Sequence, residues 1–84
     1  MSLYQVQKLF FHTLSDPTLR SEYRRSPQRF VERYDLQADE RAAVLKVDIR
    51  ALYQMGVDPL LLRPFTELNG IGSKDHYAAL KGLE

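Results

Sequence analysis

The chain contains no cysteine and no tryptophan, only two histidines, four glycines and four prolines in 84 residues, and a formal net charge of just +1. Each shortage excludes something. Without thiols there is neither a disulfide framework nor a thiolate metal site, a composition that suits a reducing compartment. The histidines, His12 and His76, have no second ligand at metal spacing: H-x-x-H and H-E-x-x-H are both missing. Both are therefore expected as surface or capping residues. Near-neutrality argues against a dedicated nucleic-acid binder. No stretch approaches the roughly 20 apolar residues of a membrane span, and no basic segment leading into an apolar run opens the chain. A cytoplasmic protein with no membrane partner is expected.

What is present is apolar and aromatic. Hydrophobic residues make up 44% of the chain, with five Tyr and four Phe, enough for one core near the lower size limit for a self-sufficient domain. Charge is uneven: Arg20 to Arg33 holds five arginines against Glu22 and Glu32, whereas Asp35 to Asp48 holds four acids against Arg41 and Lys46. Two solvated helix faces explain this, as would a basic patch meeting an acidic partner or a phosphate.

Periodicity predicts an all-α bundle of five or six short helices around one long central helix, residues 1–84 forming a single domain. Ser2 with Gln5 matches a capping box, and Leu3, Val6, Phe10 and Leu14 form a stripe that Phe11 widens. Asp16-Pro17 and Ser26-Pro27 each pair an N-cap with a proline at the first helical position. They open helices carrying Leu19 and Tyr23, then Phe30, Val31 and Tyr34. From Asp39 to Met55 the spacing of Ala42, Leu45, Ile49, Leu52 and Tyr53 reads as one amphipathic helix stopped by Gly56. Asp48 lies at the edge of that stripe and needs a partner. Asp58-Pro59 restarts the chain, and Pro64 should end a short piece over 59–63. Asn69 to Gly72 is a loop. Its glycines leading into Ser73-Lys74 lack Walker spacing, so a turn and a Ser73 cap are expected. A last helix over about 74–81 then turns Tyr77 and Leu80 inward.

Leu60-Leu61-Leu62 carries the functional signal. Successive helical side chains fan roughly 100° apart, so three leucines cannot all face one core. With Arg63, Phe65 and Ile71 they make the candidate partner-binding set, unless the last helix folds over and buries them. No catalytic or metal-ligating residue is assigned.

Leu14-Ser15-Asp16-Pro17, Tyr23, Pro27 with Phe30, and the ordered run Tyr34-Asp35-Leu36, Glu40 to Leu45, Asp48, Ala51-Leu52, Gly56 and Pro59 together resemble the small, LigA-type subunit of extradiol aromatic-ring-opening dioxygenases of the protocatechuate class. The likeness covers about residues 9–65. It implies an accessory chain with no cofactor of its own. A larger subunit would hold Fe(II) between two histidines and a carboxylate, and the small one would pack over that site. Such domains also resemble leader portions of ribosomally made peptide precursors. A stand-alone peptide- or protein-recognition module, or a homodimer closed by the leucines, are the rival readings.

Overall fold

In the computed structural model, which describes residues 3–83, seven helices and no strand form the all-α fold expected. They are α1 (Leu3–Ser15), α2 (Pro17–Arg25), α3 (Pro27–Val31), α4 (Ala38–Lys46), α5 (Ile49–Gln54), α6 (Pro59–Leu68) and α7 (Ser73–Ala79). The Ser2 capping box lies outside the described residues. Helix α1 packs on α2 and α6, and the chain continues through α3, α4 and α5 back to α6, with α7 resting on α5 and α6. The 18 Å shortest dimension is about two helix layers, so each helix keeps one face in solvent.

Cap chemistry starts the helices where the sequence says it should. Asp16 Oδ1 accepts from the backbone N–H groups of Thr18 and Leu19, and Asp58 Oδ1 from that of Leu60. Proline follows each cap, where its missing N–H is no loss. Ser26 occupies the cap position of α3, but its side chain makes no capping bond. The Gln37 N–H donates to Glu40 Oε1 at 2.8 Å, tying the entrance of α4.

The long central helix is the main correction. The chain breaks at Val47, which takes a left-handed backbone (φ 50). Across the break Asp48 N donates to the Ala43 carbonyl and Val47 N to that of Val44, the double bond of a Schellman ending. The same pair recurs at Gly56, with Val57 N to Leu52 and Gly56 N to Tyr53, and at Gly70, with Ile71 N to Thr66 and Gly70 N to Glu67. Two of these endings use glycine, of which Gly56 is the expected stop. The third uses a β-branched residue, for which left-handed backbone is costly. Val47 is half-buried against the core, and that burial offsets the strain. The break turns α4, so Ala43 and Val44 are buried and Ala42 is exposed. Asp48 is exposed too, and serves as the N-cap of α5 by accepting from Ala51 N.

Pro64 does not end its helix, since α6 runs unbroken to Leu68. The carbonyl deprived of its donor is that of Leu60, in the exposed first turn, where water can reach it. Burial of Leu62, Phe65 and Thr66 holds the helix across the gap. Ser73 is the first residue of α7, not its cap, and Gly72 takes the cap position without a side-chain bond.

Aromatic rings form the centre of the core. Phe10 of α1 stacks on Phe65 of α6 with centroids 4.0 Å apart, and Tyr23 meets both Phe65 and Phe30. Tyr34 continues the row beside Phe30. Tyr23 Oη donates to Asn69 Oδ1 at 2.9 Å, and Asn69 Nδ2 in turn donates to the Phe65 carbonyl. Burial raises the Tyr23 phenol above its ordinary pKa, with the Asn69 bond acting in the opposite direction.

Candidate functional site

The structure divides the leucine-rich stretch. Leu62 and Phe65 are sealed in this chain's own core, so these two members of the expected docking set are unavailable to a partner. The reason is helical spacing: three residues apart, they share the face of α6 that meets α1. Arg63 is an internal strut. Its Nη1 donates to Thr66 Oγ1 and to the Ile71 carbonyl, and its Nη2 lies 3.6 Å from Glu67. Ile71 is half-buried and serves as that strut's anchor. Leu60 is 82% exposed, and Leu61 is half-buried at the rim of a groove.

That groove, of about 420 Å³, runs between α1 and the first turn of α6 and is lined by Tyr4, Gln7, Lys8, Phe11, His12 and Leu61. Tyr4 (68% exposed) and Phe11 (57%) stand open on it. The expected stripe of α1 did not single them out. Phe11 is expected to widen that stripe, yet the buried face is Val6, Leu9, Phe10 and Thr13. Their signal was available: both lie off that stripe and seven residues apart, on one outward face. The two helices are pinned at the groove's end by the Asp58 N–H, which donates to Gln7 Oε1 at 2.8 Å.

Polar groups on the groove are few. Lys8 reaches over the Tyr4 ring at 6.0 Å. His12 is held from below, its Nδ1 at 2.7 Å from the hydroxyl of buried Tyr34. Burial raises the Tyr34 phenol pKa, so that phenol keeps its proton and can donate to Nδ1. The other ring nitrogen of His12, Nε2, has no hydrogen-bond partner among the described residues.

The other polar clusters have structural occupations. Arg20 donates from Nε and Nη2 to the carbonyls of Thr13 and Leu14, closing the C-terminal end of α1. Arg33 grips Glu22 at 2.8 and 3.1 Å, which holds the Glu22 carboxyl below its ordinary pKa. His76 is not the surface histidine expected but is buried, while Tyr77 beside it is 55% exposed. Thr66 Oγ1 donates to the Arg63 carbonyl, so its 2.9 Å contact with His76 Nδ1 makes that nitrogen the donor. Burial, then the nearby Arg63 charge, lowers the His76 pKa. Among the described residues no group of three histidine, aspartate or glutamate side chains is placed to hold a metal ion. No helix among them is long and apolar enough to cross a membrane.

Comparison with known proteins gives one match. The family model described as "Aromatic-ring-opening dioxygenase LigAB, LigA subunit" matches residues 7–84. No curated protein and no solved structure matches the chain.

Proposed function

Because this chain belongs to the LigA-subunit family of the LigAB aromatic-ring-opening dioxygenases, we propose that it is the accessory small subunit of such an enzyme, docking on a larger subunit over its active site. The observation that supports docking is the exposed apolar surface on the α1–α6 groove, where Tyr4 and Phe11 stand open beside half-buried Leu61. Apolar side chains left in water on so small a domain cost free energy that a partner can recover. Covering them would also exclude water from whatever lies beneath, the contribution a non-catalytic lid makes to an enclosed reaction.

The described residues do not fit the Fe(II) that the family reading implies, since they bring no ligand group together. In this proposal the iron and the ring-cleavage step belong to the larger subunit, and this chain supplies shape and dryness. The test is isolation of the chain from its native cell under mild conditions. It should come with a larger iron-bearing polypeptide, and ring cleavage of a catechol-type substrate should need both. Turnover by this chain alone would refute the accessory role. Recovery with a peptide-modifying enzyme, or as a bare homodimer, would support a recognition module or a self-associating domain in its place.

A further inference from the structure

The lining of the α1–α6 groove specifies the chemistry of what covers it, an inference that rests on the docking role proposed above. Tyr4 and Phe11 are seven residues apart on one helix face, about 10 Å along the axis, and Leu61 closes the opposite wall. Lys8 lies between the two rings along α1, and His12 follows one turn on, just past Phe11. The six lining residues include no carboxylate. Among the described residues Lys8 makes no hydrogen bond or ion pair, and the Nδ1 of His12 is held by Tyr34, which leaves Nε2 free. The groove thus sets two aromatic rings and Leu61 beside the positive charge of Lys8 and the imidazole of His12.

We infer that this groove receives an amphipathic segment of the partner subunit, laying apolar side chains against Tyr4, Phe11 and Leu61 and a carboxylate between Lys8 and His12. A second copy of this chain is the wrong occupant. A twofold contact sets the same patch against itself, and the six lining residues offer no carboxylate to meet Lys8. A lipid surface is also a poor match, because a single lysine adds only about 1 kcal/mol of attraction to an anionic membrane.

The test uses two synthetic helical peptides with identical Leu and Phe positions at i, i+3, i+4 and i+7, one bearing Glu and the other Lys at two flanking polar positions. Titrated into the isotope-labelled chain, the Glu peptide should bind roughly tenfold more tightly than the Lys peptide. Shifts should centre on Tyr4, Lys8, Phe11, His12 and Leu61. K8E should reverse the preference, and H12Q should weaken it. Equal affinity for the two peptides, no binding of either at millimolar concentration, shifts centred elsewhere, or indifference to K8E would overturn the inference. So would a concentration-dependent dimer that K8E strengthens, or sedimentation with anionic vesicles. The outcome is separable from the docking role itself: failure to recover an iron-bearing partner sinks the proposed function, whereas loss of the charge preference sinks only this assignment of the groove.

Discussion

Phe10 and Phe11 are one step apart along α1 and meet opposite surroundings. Phe10 has no exposed surface and stacks on Phe65, while Phe11 is 57% exposed on the groove. The same contrast separates Leu62 from Leu60 on α6. A helix of a two-layer domain turns one face into the core and leaves the other in water, so adjacent residues of one type serve different ends. The inner member of each pair holds the fold together. The outer one contributes almost nothing to folding, and the proposed docking would give it a use.

The sharpest way to break this comparison is truncation of one inner ring. Phe65→Ala removes the stacking partner of Phe10 and a neighbour of Tyr23, and should destabilise the domain by about 3–5 kcal/mol in denaturant titration. A loss under 1 kcal/mol would mean the aromatic row is not the core. Next in size is Thr66→Val, which leaves the His76 Nδ1–H without its acceptor and takes one from Arg63. It should cost about 1–3 kcal/mol. His76 adds a pH signature. Its folded pKa lies below the ordinary imidazole value of 6.5, so near that pH the unfolded chain binds a proton that the folded chain refuses. The stability from its neutral burial is complete above about pH 6.5. It is lost as pH falls through that value, and the loss levels off below the folded pKa. His76→Gln should flatten this slope, and an unchanged slope would assign it to other groups.

Asp16→Ala tests a smaller element, the cap of α2, and should cost about 1 kcal/mol. The smallest effect belongs to the outer ring: Phe11→Ala should change stability by no more than about 0.5 kcal/mol. Equal losses for Phe11→Ala and Phe65→Ala would erase the distinction between the two faces.

Elements governed by local chemistry were legible in the sequence. Asp16-Pro17 and Asp58-Pro59 start helices, and Gly56 stops one, because caps and left-handed backbone are set by the residues themselves. The division of the central helix was not legible. Val47 carries no turn signal, and its left-handed conformation is supported by its partly buried side chain packing on the core. Pro64 misled in the other direction, since tertiary burial of Leu62, Phe65 and Thr66 outweighs one missing hydrogen bond. His76 was out of reach because its partners, Thr66 and Arg63, lie on another helix. At the site, Leu60 and Leu61 could be read from the sequence as surplus apolar residues. Tyr4 and Phe11 could have been found only by asking which apolar residues of α1 fall outside its buried stripe.

The central claim is that the outward apolar face of α1 exists for binding and not for folding. The direct measurement is the affinity of a Tyr4→Ala, Phe11→Ala double variant for the larger subunit, taken alongside its unfolding curve. The account predicts unfolding within about 1 kcal/mol of the unaltered chain and an affinity at least tenfold weaker, as expected when aromatic anchors leave an interface. Undiminished affinity, or collapse of the fold with the loss of two exposed rings, would contradict it.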